Sequence, residues 1–240
     1  MKQHSSGFIL GIVVSIILGF GIVAGVALGL RSIQGLGYEP DVYQATKTGA
    51  NSATLELSTY PDSQVCHSDM GAPQIDWVTY CATNNREGAN MEVPPNSVIT
   101  VIIKNYDGKT PLINPFFRQV QGTIGGVETV NNKTVSEVNV DDVSHTFDIQ
   151  STPDTPNPIF VNAPIVGVAD DAPTPITIKG NQYPTPNIIT FQFRTGPSGT
   201  YIWHCYDPCG DQLGRNPPFG FSGPMSTTGY MAGIITVASY

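Results

Sequence analysis

The sequence predicts an all-β exported domain that is preceded by one membrane-spanning helix. Charged residues make up only 12% of the 240 positions, and 25 Gly and 20 Pro interrupt the chain too often for long soluble helices. Short β-branched and aromatic runs recur between turn residues, as in β-sandwiches. The formal net charge of −8 argues against nucleic acid as a partner, because phosphate binding needs clustered Lys and Arg.

The N-terminal segment carries the membrane prediction. Residues 8–30 form an uncharged, apolar stretch that is long enough to cross a hydrocarbon core of about 30 Å. Lys2 and the α-amino group precede this stretch and acidic residues follow Arg31, so residues 1–7 are predicted to be a cytoplasmic tail. A cleaved signal peptide is the alternative, although the apolar region of such peptides is usually shorter. Residues 31–53 are predicted to be a linker, and residues 54–240 the extracytoplasmic domain.

The exported part shows the spacing of an antiparallel sandwich or barrel. Strands are predicted at 98–103, 144–149, 188–193, 200–203 and 233–237. Residues 152–186 hold eight prolines and are predicted to form long loops, with an edge strand near 159–168.

The first two cysteines, Cys66 and Cys81, lie in a polar, Asn-rich region. In an oxidising compartment they are predicted to form a structural disulfide. A soft-metal site that uses Cys66, His67 and Met70 is the alternative. Export disfavours this alternative, because in an oxidising compartment Cys66 already has Cys81 as its disulfide partner. His67 is then an ordinary loop histidine.

The last two cysteines have a different setting. Cys205 follows a strand and Cys209 closes a tight loop around Pro208, while His145 begins an earlier strand and Met231 leads into the final one. Thiolate, imidazole and thioether are soft ligands that suit copper.

Four motifs in this order resemble the cupredoxin family, which comprises blue-copper proteins and the related CuA domain of haem-copper oxidase subunit II. They are VPPNSVITV at 93–101, SHTF at 144–147, GTYIWHC at 199–205 and YMAGI at 230–234. The resemblance implies a Greek-key β-sandwich that transfers single electrons through copper and has no catalytic activity of its own. It also implies that His145, Cys205 and Met231 are metal ligands.

The chain departs from the family at one ligand, because no histidine follows His204. In one arrangement Cys209 replaces the missing histidine as a ligand. Met225 is then an alternative to Met231 as the methionine ligand. The second thiolate is predicted to lower the reduction potential of the copper. In another, His204 completes a CuA-like pair, which is disfavoured because adjacent strand side chains point to opposite faces. In the third, Cys205 and Cys209 form a disulfide and the domain binds no metal.

Two functions follow from these alternatives. The first is a single-pass, membrane-anchored copper protein on the outer face of the cell membrane, which transfers electrons to or from a redox protein. A link to a respiratory oxidase is one version of this function. The acidic composition predicts a partner that is basic at its docking face. The second is a metal-free β-sandwich that serves in surface assembly.

Overall fold

The computed structural model describes residues 42–67, 77–82, 86–88, 90–153, 155, 157–209, 220 and 223–240. All of them belong to the unit Pro40–Tyr240. No helix within this described part is both long and apolar enough to span a bilayer. The predicted cytoplasmic tail 1–7 and membrane anchor 8–30 lie outside the described residues.

The described residues form mainly β-strands, joined by loops and short 3₁₀ helices. The strands are β1 (Val42–Gln44), β2 (Thr46–Gly49), β3 (Ser52–Tyr60), β4 (Thr79–Ala82), β5 (Arg86–Glu87), β6 (Asn90–Val93), β7 (Val98–Asn105), β8 (Glu128–Val130), β9 (Lys133–Val135), β10 (Val143–Ser151), β11 (Phe160–Val166), β12 (Ile176–Ile178), β13 (Asn181–Tyr183), β14 (Asn187–Arg194), β15 (Gly199–His204) and β16 (Ala232–Val237). The 3₁₀ helices are Pro115–Arg118, Ile124–Gly126, Val140–Asp142 and Gly223–Ser226.

Two sheets pack face to face around one core. The first has the order β1-β6-β16-β15-β10-β11, and the second has the order β5-β4-β3-β7-β14-β8-β9, with β2 beside β3. Burial alternates along β7 and β15, so every second side chain enters the core. Phe147 of the first sheet meets Phe191 of the second, with ring centroids 6.0 Å apart. The predicted all-β sandwich is confirmed.

The sheets are mixed, which corrects the prediction of a purely antiparallel arrangement. β1 and β16 both run parallel to β6, and β3 runs parallel to β7. Parallel neighbours need a long connection, and residues 61–97 provide one between β3 and β7. Hydrophobic alternation identifies a strand but does not encode the direction of its neighbour, so the sequence could not reveal this feature.

The predicted linker was too long. β1, β2 and the first residues of β3 lie within 42–53, so this part belongs to the sheets. Ala45 is only 2% exposed, and its backbone N–H donates to the carbonyl oxygen of Glu92 at 2.9 Å. Strands such as these look like linker sequence because most of their side chains are exposed: β2 is exposed along its whole length, and β1 at two of its three residues.

The other strand predictions agree with the structure. Each of the five predicted strands is present and extends one or two residues beyond at least one predicted end. β11 is the predicted edge strand, at the end of the first sheet. The proline-rich segment also contains the β12–β13 hairpin, which was predicted as loop. Lys179 and Gly180 form its two-residue turn with φ values of 47° and 89°, as in type I′ turns.

The disulfide between Cys66 and Cys81 is present as predicted. It joins the segment after β3 to β4, beside a second small core in which the rings of Tyr60, Tyr106 and Tyr183 pack together. The alternative metal site at Cys66 and His67 therefore lacks its thiol.

Candidate metal centre

Three soft-ligand side chains converge at one end of the first sheet. The ligand atoms of His145, Cys205 and Cys209 all lie within 4.8 Å of one another. They come from β10, from the residue after β15 and from the loop that follows, so residues up to 64 positions apart meet at one point. The first of the sequence-based arrangements uses these three residues, and their role as metal ligands stays a prediction.

His145 is placed by an irregularity in β10. The register with β11 shifts between Val143 and His145, which marks a β-bulge that turns the following side chains. The ring is 1% exposed, and its Nδ1 lies 3.2 Å from Cys209 Sγ. Its Nε2 lies 2.8 Å from Asp107 Oδ2. One ring nitrogen therefore faces the thiols and the other is held by a carboxylate.

Cys205 continues the inward face of β15. Tyr201 and Trp203 are buried by period-two alternation, and Cys205 is next in that series and fully buried. Its Sγ accepts a hydrogen bond from the backbone N–H of Thr146 at 3.3 Å. Such N–H···S contacts stabilise a thiolate and fix its position.

Cys209 lies in the loop after Asp207, with its side chain partly exposed. Its backbone N–H donates to the carbonyl oxygen of Asp207 at 2.8 Å, which tightens the loop. Its thiol donates to the carbonyl oxygen of Ser144 at 3.7 Å. Both contacts direct Cys209 Sγ toward His145.

The charges in the site favour one thiolate beside a protonated imidazole. Burial raises the pKa of Cys205, but hydrogen bonds from Cys209 and His145 outweigh it and hold that pKa well below its ordinary value. Burial lowers the pKa of His145, while Asp107 and Cys205 raise it to about 10. The hydrogen bond to Cys205 and burial raise the pKa of Cys209. Burial and the Cys205 charge raise the pKa of Asp207 to about 8.

The two candidate methionines are both fully buried. The carbonyl oxygen of Met231 accepts the backbone N–H of Cys205 at 3.0 Å, which ties the residue before β16 to the cysteine. The backbone N–H of Met231 in turn donates to Pro224 at 3.2 Å, so the segment that carries Met225 lies alongside. The choice of Met231 as axial ligand therefore stays a prediction.

The other two histidines of the described part lie apart from this cluster. His204 is not among the three converging ligands, and its ring lies against Tyr206 with centroids 5.1 Å apart. His67 lies in the loop after β3, as predicted, and is buried there, with 1% exposed. It stacks on Tyr230, and its Nε2 donates to the carbonyl oxygen of Gly229 at 2.8 Å.

Asp107 was not found from the sequence. It follows β7 in an Asp-Gly pair, which is a common turn signal. Its hydrogen bond to His145 forms because the loop after β7 of the second sheet reaches β10 of the first sheet. No local sequence pattern encodes this contact between the sheets.

The donor set suits copper. Cys205 and Cys209 are both free thiols in the structure, so the predicted alternative of a disulfide between them is not what is observed. One imidazole nitrogen and two sulfurs form a soft set, and His145 already turns Nδ1 toward the sulfurs. The fold and site together define an all-β double-sheet domain with a candidate soft-metal centre.

Comparisons with known proteins found similarity only among solved structures. No protein-family model and no curated protein matches the sequence. The copper protein rusticyanin is 14% identical and matches 84% of this chain and 85% of its own, with a TM-score of 0.36. Another rusticyanin structure, from Thiobacillus ferrooxidans, is 13% identical over 84% of each chain at a TM-score of 0.36. Auracyanin B is 13% identical over 81% of this chain and 94% of its own, at 0.29.

Proposed function

We propose that the chain is a membrane-anchored, cupredoxin-like protein that binds copper and transfers single electrons. The observation that carries the proposal is the convergence of His145, Cys205 and Cys209 within 4.8 Å. A single buried cysteine is ordinary in a β-sandwich, but two sulfurs and an imidazole nitrogen that meet at one point form a set of soft ligands that suits copper.

The site residues have distinct roles in this proposal. Cys205, buried and supported by the Thr146 N–H, would be the principal thiolate, and His145 would bind through Nδ1. Cys209 would take the place of the histidine that cupredoxins have after their cysteine, and Met231 would be a further ligand. Copper, when bound, would supply the one-electron couple.

The protein's contribution is to hold these ligands still and to keep water away. His145 and Cys205 are at most 1% exposed, and Phe147 and Trp203 stack behind them with centroids 5.3 Å apart. Tyr80 donates its hydroxyl proton to the carbonyl oxygen of Thr146 at 3.1 Å, which fixes the strand between the two ligands. Ligands that do not move between oxidation states favour fast electron transfer. The second thiolate favours the oxidised metal and a reduction potential below that of a site with two histidines and one cysteine.

The cellular setting belongs to the same proposal. The uncharged stretch at 8–30 supports an anchor in the cell membrane with the domain on the outer face. The net charge of −8 supports a redox partner that is basic at its docking face, with an association rate that falls as salt rises. A respiratory oxidase is one partner of this kind.

The test is copper addition to the full-length chain in detergent under anaerobic conditions. We expect one copper per chain and an intense visible absorption from thiolate-to-copper charge transfer. Cys205→Ser should abolish this absorption. His204→Asn is the matched control, because it changes the imidazole next to Cys205 that does not belong to the cluster, and it should keep the colour.

Other outcomes distinguish the alternatives. A colourless protein without free thiols after copper addition would support a metal-free sandwich. The axial ligand is tested by Met231→Leu against Met225→Leu, since both side chains are fully buried. Only Met231→Leu should shift the visible spectrum and the reduction potential, and the opposite result would assign Met225.

A further inference from the structure

We propose that Asp107 is a positioning residue that fixes the orientation of the His145 ring and lowers the reduction potential of the metal centre. The inference rests on the proposed function, because it concerns how His145 serves as a ligand. Asp107 is outside the set of ligands that the sequence predicts.

The first step is the geometry of the imidazole. Asp107 Oδ2 accepts a hydrogen bond from His145 Nε2 at 2.8 Å, while Nδ1 lies 3.2 Å from Cys209 Sγ. To bind a metal, the protonated imidazole must first lose one of its two ring protons, and the neutral ring then has one N–H and one lone pair. The proton that Asp107 holds at Nε2 therefore leaves the lone pair at Nδ1, on the side of the thiols. Without that acceptor the ring could rotate or bind through either nitrogen.

The second step is the rigidity of Asp107 itself. Its other carboxylate oxygen, Oδ1, accepts the backbone N–H of Gly108 at 2.7 Å. Its own backbone N–H donates to Asn105 Oδ1 at 3.1 Å, and its carbonyl oxygen accepts the N–H of Val168 at 3.0 Å. The side chain is 20% exposed. A carboxylate held at this many points can orient a ring that it contacts only once.

The third step is where this support comes from. Asp107 follows β7 of the second sheet, whereas His145 lies on β10 of the first. The loop after β7 lies close to the backbone of Gly167. A Cβ on Gly167 would be 2.7 Å from the carbonyl oxygen of Gly108, so this approach requires glycine. The orientation of a ligand on one sheet is thus set by the other sheet.

The fourth step is electrostatic. A carboxylate that accepts the Nε2 proton makes the imidazole a stronger donor, as in carboxylate–histidine–metal triads. Stronger donation and one additional negative charge both stabilise the more highly charged oxidised metal. Removing the charge should therefore weaken binding of Cu(II) more than binding of Cu(I).

The test compares full-length wild type with Asp107→Asn and Asp107→Ala. Asp107→Asn keeps an oxygen that can accept the Nε2 proton but removes the charge, whereas Asp107→Ala removes both. Asp142→Asn is the matched control, because it removes the same charge from an exposed carboxylate that pairs with Lys109 at 2.7 Å. We expect the Cu(II) affinity of Asp107→Asn to fall about 10- to 100-fold, as for other residues that support metal-bound histidines. Each tenfold loss relative to Cu(I) raises the one-electron potential by about 59 mV.

A second measurement reports the hydrogen bond directly. In the Cu(I)-loaded protein, which is diamagnetic, the Nε2 proton of His145 should give a slowly exchanging NMR signal. Asp107→Ala should make that proton exchange rapidly with water, while Asp142→Asn should leave it protected. This readout does not depend on electron transfer, and circular dichroism shows whether each variant is folded.

The outcomes separate the inference from the function on which it rests. If wild type binds copper but Asp107→Asn and Asp142→Asn shift affinity and potential equally, the inference is wrong and the proposed function stands. An Nε2 proton that exchanges rapidly with water in the copper-loaded wild type would also contradict the inference and leave the proposed function standing. If wild type binds no copper, both proposals fail together.

Discussion

Glu128 brings a carboxyl group into the interior of the sandwich, away from the candidate metal centre. It is 1% exposed, and neither carboxylate oxygen has a hydrogen-bond partner among the described residues. It alternates along β8 with Thr129 and shares a face with Val130, which packs against the core. Burial in these surroundings raises the pKa of Glu128 well above its ordinary value.

The buried carboxyl predicts a loss of stability with rising pH. Above the ordinary pKa of 4.5, the unfolded chain releases the Glu128 proton while the folded chain retains it. The free energy of unfolding therefore falls as pH rises from that value toward the raised pKa of the folded state, by up to about 1.4 kcal/mol per pH unit. Urea unfolding of wild type and Glu128→Gln between pH 5 and 8 tests this. The variant should lose the Glu128 share of the slope, while Asp148 and Asp207, whose pKa values burial also raises, keep their share in both proteins.

The test compares how the free energy of unfolding changes with pH in the two proteins. Their absolute stabilities are not compared, because the Gln amide is itself a buried polar group and changes stability at every pH. Glu137→Gln is the control, since Glu137 is exposed and pairs with Arg118 at 2.7 Å. A slope that persists unchanged in Glu128→Gln would place the titrating group elsewhere.

At the scale of elements, the approach of Gly122 to β11 depends on the absence of a side chain. Gly122 has a φ of 69°, and a Cβ there would lie 1.8 Å from the carbonyl oxygen of Phe160. Gly126 has a similar φ of 65° but no atom within 4 Å of its Cβ position. The two glycines share a conformation and differ only in what surrounds them.

This difference predicts unequal costs for the same substitution. Gly126→Ala should cost about 1–2 kcal/mol, the price of a left-handed conformation. Gly122→Ala should cost more than about 3 kcal/mol, because the backbone of β11 must also move. Denaturant unfolding of the two variants measures the difference, and equal losses would show that β11 yields without strain.

Elements also show what the sequence could and could not predict. Strands with long β-branched runs, such as β7 and β14, were predictable because buried and more exposed side chains alternate along the run. β1, β2 and the β12–β13 hairpin were missed, since strands of three or four residues are too short to show a period, and β2 is exposed along its whole length. The parallel pairing of β3 with β7 was missed because direction is decided by connections rather than by composition.

At the scale of the whole molecule, the site is assembled by the meeting of distant segments. His145 and Cys205 were predictable because each lies on a strand with a recognisable motif, and Cys209 because the loop after Cys205 is short. Asp107 was not, since its place beside His145 depends on how the two sheets are stacked. The candidate ligands could be picked out from local sequence, whereas the contact that supports them depends on tertiary packing.

This assembly predicts that copper stabilises the fold. The unfolded chain separates His145 from Cys205 by 59 intervening residues, so it lacks the assembled site that the native state provides. Free copper at 100 times its dissociation constant should then add about 2.7 kcal/mol to the free energy of unfolding. For a domain of this size, that shifts Tm upward by about 5–11 °C. Differential scanning calorimetry with and without copper, under anaerobic conditions, measures the shift.

The controls decide whether the stabilisation comes from this site. Cys205→Ser should remove most of the shift, and a chelator should reverse it in wild type. The Cys66–Cys81 disulfide remains in both proteins, so it cannot account for a difference between them. An equal shift in wild type and Cys205→Ser would mean that copper binds outside the cluster. The cluster joins β10 to the segment after β15. Stabilisation that depends on Cys205 would therefore show that copper binding and folding of the sandwich are thermodynamically coupled.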